Sequence, residues 1–165
     1  MSASRRQFPR GTRVRGTVTG FPGCVAGVQV DIGGPVPGWV DCLHLPGEAA
    51  DWPPIGRSGI FEVVQHRESE VRLFPLDAGM RGLLTRQKRW TGPEWAAITE
   101  AHPVGSVIEA TVERVFPSNR ELSVRFEHGW AAVEYDGVPP QPGSTVSLTV
   151  ERQSEWTQSL ILSLD

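Results

Sequence analysis

Features that would place the chain in a membrane or outside the cell are scarce or missing. Its apolar runs fall well short of the roughly 18 residues that a bilayer-spanning helix needs. The arginine-rich N-terminal segment is not followed by the apolar stretch of a secretory signal. Cys24 and Cys42 are the only cysteines among 165 residues, too few for a disulfide scaffold. We therefore expect a cytoplasmic protein with reduced thiols.

The motifs of the common enzyme classes are missing as well. The sequence contains no HExxH, GxSxG, Walker or dinucleotide-binding pattern. The Gly-Gly-Pro segment at 33–35 predicts a hairpin turn rather than a phosphate loop, because proline has no amide hydrogen to donate. Cys24, Cys42 and His44 are conceivable zinc ligands, but no fourth ligand accompanies them. We expect no catalytic residue, no bound metal and no cofactor.

Glycine and proline, by contrast, are abundant. The 18 Gly and 14 Pro predict many tight turns and few long helices. Hydrophobic residues make up 39% of the chain and charged residues 21%, which indicates a globular protein rather than a disordered one. A chain of 165 residues forms one large domain or two small ones.

The charges are divided unevenly along the chain. Residues 1–90 carry 12 basic and 8 acidic side chains, whereas residues 91–165 carry 4 basic and 11 acidic ones, so the two parts have net charges of +4 and −7. The basic residues of the first part form two clusters, Arg5, Arg6, Arg10, Arg13 and Arg15, and then Arg81, Arg86, Lys88 and Arg89. Such clusters are typical of a polyanion-binding surface or of an ordinary solvated one. The acidic second part is a poor polyanion binder by itself.

The chain contains an imperfect internal repeat. Residues 11–18 and residues 105–112 both alternate with a period of two, which is the pattern of a half-buried strand. Each copy continues with four more short strand-like segments in the same order. They are 27–32, 38–40, 60–64 and 71–73 in the first copy, and 122–126, 129–131, 146–150 and 160–162 in the second.

Five short strands with glycine and proline turns in about 70 residues usually close into a small barrel, and the OB-fold is the common five-stranded form. We therefore predict an all-β protein of two tandem five-stranded OB-fold barrels joined by a short helical linker. Chance alternation in two unrelated sandwich pieces is the alternative. The predicted boundaries are 8–77 for the first barrel, 78–102 for the linker and 103–165 for the second barrel.

A short helix is predicted in the linker. Thr91 is its candidate N-cap, Pro93 suits the first turn, and the negative charge of Glu94 favours the positive end of a helix. Trp95 and Ile98 are three residues apart and therefore share a face. We expect this face to pack between the two barrels.

Three segments of the first repeat resemble the S-one RNA-binding domain, the OB-fold repeat of bacterial ribosomal protein S-one and of polynucleotide phosphorylase. They are GTRVRGTV at 11–18, GVQVDIGG at 27–34 and GWVD at 38–41. The segment WAAITEAHPVG at 95–105 is similar to the junction between tandem repeats of that family, whereas the second repeat lacks the Gly-Gly turn. The resemblance implies single-stranded RNA as the ligand, bound on the face of the second and third strands.

The positions at which that family contacts RNA carry other residues in this chain. Ala26 and Gln29 stand where the family has aromatic residues, and Asp41 stands at the position of a histidine. His66 and Glu70 stand at the positions of an aspartate and a basic residue. The resemblance therefore implies the fold more directly than it implies the contacts.

Candidate RNA contacts are found on the first barrel and in the basic linker. They are Arg13, Arg15, Phe21, Gln29, Trp39, His66, Arg72, Arg86, Lys88 and Arg89. Trp39 is either a stacking platform for a base or a packed residue, and for its counterpart Trp130 packing is the favoured interpretation. Asp31 and Asp41, which alternation places on the same outer face, would repel a phosphate backbone.

The leading hypothesis is a non-catalytic single-stranded RNA-binding protein, or an accessory factor of translation or RNA decay, acting through the first barrel and the basic linker. The alternative is a protein-interaction module on a repurposed OB scaffold. In that case the acidic second repeat would meet a basic partner, such as an RNA-binding protein or a toxin. We expect neither a membrane nor a small molecule as partner.

Overall fold

The computed structural model describes residues 3–22, 26–82 and 90–164. The chain divides into two compact units, Met1–Gln87 and Lys88–Asp165, and each contains one closed barrel of five strands. Two α-helices accompany the barrels within these described residues, α1 at Ala3–Gln7 and α2 at Gly92–Ala101. The predicted all-β fold of two tandem OB-type barrels is confirmed.

The first barrel is built from five short strands. They are β1 (Arg13–Gly20), β2 (Gly27–Asp31), β3 (Gly38–Asp41), β4 (Ser58–His66) and β5 (Val71–Pro75). Their order around the barrel is β1-β2-β3-β5-β4, and β4 pairs with β1 to close it. The β3–β5 pairing is parallel and the others are antiparallel. Each strand therefore has a neighbour on both sides.

The second barrel repeats this topology. Its strands are β6 (Val107–Phe116), β7 (Glu121–Phe126), β8 (Gly129–Glu134), β9 (Thr145–Ser154) and β10 (Ser159–Leu164). They follow the order β10-β8-β7-β6-β9, closed by pairing of β9 with β10 and with β8 and β10 parallel. The internal repeat of the sequence is thus a repeat of whole barrels.

Alternation along each strand supplies the core of its own barrel. In β1, Val18 and Gly16 are buried and Val14 is half-buried, as the period of two predicts. Gly16 has no room for a side chain, because a Cβ there would lie 2.5 Å from Cγ1 of Val30. In β6 the inward side chains Ile108 and Val112 are buried in the same way.

The predicted helix forms, and its N-terminus is a capping box. The Thr91 hydroxyl accepts a hydrogen bond from the Glu94 amide, and the Glu94 carboxylate accepts one from the Thr91 amide at 2.8 Å. Trp95 and Ile98 are buried, but in the core of the second barrel together with Val112. The helix α2 therefore completes the core of the second unit.

The N-terminal helix α1 was not predicted from the sequence. Its presence determines which arginines of the first cluster are exposed. Phe8, which follows α1, lies in the core of the first barrel. Arg5 in α1 is buried, and the Nε of Arg10 donates a hydrogen bond to the carbonyl of Val64 at 3.1 Å. Two of the five clustered arginines are therefore engaged in structure, whereas the other three are exposed.

Candidate nucleic-acid interface

Three predicted site residues of the first barrel lie side by side on its outer face. Gln29 of β2 is paired with Trp39 of β3, and Trp39 is paired with Arg72 of β5. They border a cleft of about 340 Å³ whose other lining residues are Pro22, Pro37, Gly38, Ser69 and Glu70. The sequence-based expectation that β2 and β3 bring these side chains to one face agrees with this register.

Trp39, however, is a covered ring rather than an open stacking platform. Only 7% of the residue is exposed. Its indole lies against the backbone of Gly27, where an added Cβ would be 2.6 Å from Cζ2 of the ring. On the other side, Cζ of Arg72 lies 5.7 Å from the ring centroid, within the range of a cation–π contact. A base could stack on Trp39 only after Arg72 had moved away.

The guanidinium of Arg72 is in turn held by two carboxylates. Its Nη1 lies 3.3 Å from Oδ2 of Asp41, and its Nε lies 2.6 Å from Oε1 of Glu70. The three side chains are largely buried, so the pairing is screened less than a fully exposed one. The two carboxylates neutralise the positive charge that would otherwise attract a phosphate to this cleft.

Asp31 and Asp41, the two aspartates of this face, each stabilise a turn by accepting a backbone hydrogen bond. Oδ1 of Asp41 accepts a hydrogen bond from the Leu43 amide at 3.0 Å and caps the 3₁₀ turn Cys42–His44. Oδ1 of Asp31 accepts one from the Gly33 amide at 2.8 Å in the turn after β2.

The thiol of Cys42 is not activated. Partial burial is the larger cause and the neighbouring Asp41 carboxylate the smaller cause of a raised pKa of the Cys42 thiol. Cys42 is therefore a poor nucleophile.

His66 does not lie on the surface, and its prediction as an RNA contact was wrong. The residue is 2% exposed, and its Nε2 lies 2.8 Å from the carbonyl oxygen of Phe8. The end of β4 is covered by the segment that follows α1. Because α1 was not predicted, neither was the burial of His66.

Arg13 and Arg15 are exposed, as predicted, but they lie far along β1 from the Gln29 row. Both are paired with β4, whereas Gly20 is the β1 residue paired with Gln29. Five residues separate Arg15 from Gly20, which corresponds to about 16 Å of strand. The first barrel therefore places its exposed strand arginines and its tryptophan in different regions.

The remaining predicted contacts, from the first barrel and the basic linker, divide into two groups. Phe21 is exposed, and its ring lies 6.3 Å from that of Trp52, centroid to centroid. It therefore borders the loop after β3 as well as the cleft residue Pro22. Arg86, Lys88 and Arg89 lie outside the described residues.

The corresponding face of the second barrel is open. Trp130 of β8 is paired with Arg125 of β7, just as Trp39 is paired with Gln29. Trp130 is 50% exposed, so the interpretation of it as a packed residue was wrong. The Arg125 side chain is 61% exposed and forms an ion pair with Oε1 of Glu113 at 2.5 Å. An indole and a guanidinium thus reach the solvent side by side.

The same face extends toward the far end of β6. The side chains at 123 and 125 point outward in alternation with the buried Leu122 and Val124, whereas Glu121 is itself buried. Ser123 is paired with the exposed Arg114, and Glu121 with Phe116, which is 42% exposed. The row of Phe116 lies four residues, or about 13 Å, from the row of Trp130. We call the surface formed by Arg114, Phe116, Ser123, Arg125 and Trp130 the Trp130 face.

Two substitutions between the repeats distinguish the covered tryptophan from the open one. Where the first barrel has Gly27, two residues before Gln29, the second has Ser123, two residues before Arg125. In the last strand the sequence repeat aligns Arg72 with Ile161, which is buried, and the pairing of Ser163 with Glu134 places Ser159 level with Trp130. Neither residue carries a guanidinium that could cover the indole, and Ser123 carries the Cβ for which Gly27 has no room beside Trp39.

The described part of the chain offers little for other kinds of site. Among its residues there is no group of three or more histidine, cysteine or carboxylate side chains placed to hold a metal ion. None of its helices is long and apolar enough to cross a membrane.

Comparison with protein-family models gives no match, and no curated protein is significantly similar in sequence. Among solved structures, the chain is similar to a multidomain protein with nucleic acid binding domains from Streptococcus pneumoniae TIGR4, at 17% identity and a TM-score of 0.36. It is also similar to Drosophila Unr CSD456, at 15% identity and a TM-score of 0.30. The matches cover 96% and 98% of this chain but 52% and 65% of the other two. With TM-scores this low, neither similarity bears on what this chain binds.

Proposed function

We propose that the chain binds single-stranded nucleic acid, with RNA as the preferred ligand, and that the Trp130 face makes the base contacts. The observation that carries the proposal is the half-exposed indole of Trp130 beside the exposed guanidinium of Arg125. Every base has a flat π-face that can stack on an indole, and every nucleotide has a phosphate that can meet a guanidinium. This pair of groups is what sequence-tolerant binding of single strands requires.

The ion pair between Arg125 and Glu113 does not stand in the way. An exposed pair of this kind contributes only about 0–1 kcal/mol to stability. A phosphate can therefore replace the carboxylate at small cost, and Arg114 on the same face can hold a second one. The covered Trp39 and the doubly paired Arg72 have no comparable freedom, because both would have to leave existing partners.

Long-range attraction comes from the first barrel and the basic linker. Residues 91–165 have a net charge of −7, which opposes the approach of a polyanion, whereas residues 1–90 have a net charge of +4. Arg13 and Arg15 of the first barrel are exposed, and Arg86, Lys88 and Arg89 of the linker cluster remain proposed phosphate contacts. In this proposal residues 1–90 supply charge and the second barrel supplies the stacking surface.

The finer assignments follow from the same proposal. The chain acts as a non-catalytic RNA-binding protein of the S-one type, or as an accessory factor of translation or RNA decay. Its place of action is the cytoplasm. The support for these statements is the first-repeat resemblance to the S-one domain, together with the absence of any enzyme motif from the sequence.

Trp130→Ala tests the proposal, and Val138→Ala is its control. Val138 is 92% exposed and follows the end of β8 opposite to Trp130. We expect Trp130→Ala to weaken binding of a fluorescent single-stranded RNA by about 1–3 kcal/mol, with a small change in melting temperature. Val138→Ala should bind as the unchanged protein does. Equal losses in both variants, or binding that Trp130→Ala leaves intact, would refute the proposal.

A protein-interaction module is the second candidate function, favoured by the apolar side chains that the first unit exposes. Phe21, Leu43 and Ile55 are all large and exposed. Exposed apolar side chains indicate a protein-binding surface where they form one contiguous patch. Capture of partners from a native lysate with and without ribonuclease separates the two functions. Partners that survive ribonuclease favour the interaction module, and partners released by it favour RNA.

A further inference from the structure

Two histidines far apart in the sequence meet in the second unit. Nε2 of His102 lies 2.9 Å from Nδ1 of His128, and the ring centroids are 5.0 Å apart. At this distance one imidazole donates its N–H to the other's lone pair. Neither histidine belongs to the Trp130 face, and the proposed binding mode uses neither of them.

His102 is fixed at the end of helix α2. It is the C-cap of the helix, and its amide donates a hydrogen bond to the carbonyl of Ile98 at 3.0 Å. The side-chain amide of Gln153 in β9 donates to the carbonyls of both Thr99 and His102 at 2.8 Å. The backbone on this side of the histidine pair is therefore anchored twice.

His128 lies in the tight turn that joins β7 to β8. Only Glu127 and His128 separate Phe126, the last residue of β7, from Gly129, the first residue of β8. Phe126 and Gly129 are paired with each other. Gly129 is directly followed by Trp130. The ring of Phe126 also meets His102 edge-on, with centroids 6.1 Å apart. The side chain of His102 thus contacts the end of β7 and the turn of the hairpin that presents Trp130.

We propose that His102 and His128 form a proton-sensitive clasp that fixes the β7–β8 hairpin, and with it Trp130, to the end of α2. Two neutral imidazoles share one N–H···N hydrogen bond, and after gaining one proton they still share one. When both are protonated, each facing nitrogen carries a hydrogen. The hydrogen bond is then lost, and two positive charges face each other 2.9 Å apart. The clasp therefore opens in acid.

The surroundings of the pair make the second proton costly. Burial, and after it the nearby His128, lower the pKa of His102, whereas the Glu127 carboxylate acts in the opposite direction. Gln153, which β9 presents to this site, is a neutral amide, and Glu100 of α2 is exposed. A histidine with a lowered pKa stabilises the fold fully above the unfolded value near 6.5, and this contribution is lost as the pH falls below it.

The test uses the full chain, NMR titration of the imidazole and backbone signals, and two substitutions of His128. Asn places an oxygen near the position of Nδ1, so His128→Asn keeps a hydrogen-bond partner that cannot be protonated. His128→Ala removes the partner altogether. In the unchanged protein we expect the amide signals of Gly129 and Trp130 to move as both histidines become protonated. His128→Asn should abolish that movement, and His128→Ala should show the released position already at neutral pH.

The clasp would be overturned by hairpin signals that stay still while both histidines titrate, or that move equally in His128→Asn. Only its effect on affinity rests on the proposed function. If single-stranded RNA is bound, the loss of affinity from near pH 7.5 to near pH 5.5 should be about fivefold greater in the unchanged protein than in His128→Asn. No binding at either pH, with the NMR response intact, would count against the proposed function and not against the clasp.

Discussion

The indole of Trp39 lies directly on the backbone of Gly27, so closely that a Cβ at residue 27 would be 2.6 Å from Cζ2 of the ring. The same Cβ would also collide with the carbonyl oxygen of Val40 on the neighbouring strand. We therefore expect Gly27→Ala to lower the free energy of unfolding by about 1–3 kcal/mol, the usual cost of overpacking. Gly47→Ala is the control, because a Cβ there meets nothing within 4 Å. Chemical denaturation of the two variants measures the difference, and an equal effect of both substitutions would contradict the packing of Trp39 on Gly27.

Arg72→Ala should uncover Trp39. The substitution removes the guanidinium above the ring and leaves Asp41 and Glu70 without their shared partner. We expect a loss of about 1–2 kcal/mol of stability and greater quenching of Trp39 fluorescence by acrylamide. The fluorescence of Trp39 is obtained by subtracting the emission of the double variant Arg72→Ala/Trp39→Phe from that of Arg72→Ala. Arg67→Ala, which removes an exposed arginine from the same barrel, should not change the quenching. Unchanged quenching in Arg72→Ala would show that something else covers the ring.

The capping box of α2 should make the stability of the second unit depend on pH below about 4.3. Hydrogen bonds from the backbone and then from the side chain of Thr91 lower the pKa of Glu94. A carboxyl group with a lowered pKa contributes its stability above the unfolded value near 4.3, and the contribution is lost as the pH falls through the folded value. Glu94→Gln should flatten this part of the pH–stability curve of the second unit. Glu100→Gln, on the exposed surface of the same helix, should leave the curve steep, and equal flattening by both would rule out the capping box as the cause.

Arg125 should contribute to the salt dependence of RNA binding. In a log–log plot of affinity against salt concentration, each single-strand phosphate that an arginine neutralises makes the slope steeper by roughly 0.7. Arg125→Ala should therefore reduce the slope by about that amount. Glu109→Gln changes the charge of the same barrel by one, but on the side where β6 pairs with β9. It should leave the slope unaltered. A slope that responds to both substitutions alike would indicate a general charge effect rather than a contact at Arg125.

The sequence was sufficient to predict the strands because each barrel is assembled from local alternation. Val14, Gly16 and Val18 face inward as their spacing predicts, and the N-cap at Thr91 is the one expected. Strands β4 and β9 run further than predicted, from Ser58 to His66 and from Thr145 to Ser154. Both pairings with the following strand contain a bulge or irregularity, which allows a strand to bend and continue around the barrel.

The candidate site was harder to predict because its accessibility depends on residues that are distant in the sequence. Whether Trp39 is open is decided by Gly27 and Arg72, and whether His66 is open is decided by Phe8. Periodicity shows which way a side chain points, but it does not show what lies on top of it. The strand registers, rather than the sequence repeat, reveal the difference between the two tryptophans. Serine stands at 123 where the first barrel has Gly27, and no arginine is paired beside Trp130 on the last strand.

The closure of both barrels limits how any macromolecule can be recognised. Each strand already has a neighbour on both sides, although β8 and β10 are paired only at Glu134 and Ser163. The first barrel in particular therefore leaves a guest peptide no strand edge to extend through backbone hydrogen bonds. Selectivity for one ligand over another must then come from side chains on the barrel surface, because the barrel backbone does not contact the ligand. On such a framework the surface can change without a change of fold. Exchanging two or three side chains is enough to bury a tryptophan in one copy and expose its counterpart in the other. Duplication of a closed barrel thus leaves one copy free to change its ligand while the hydrogen-bonded scaffold is conserved in form.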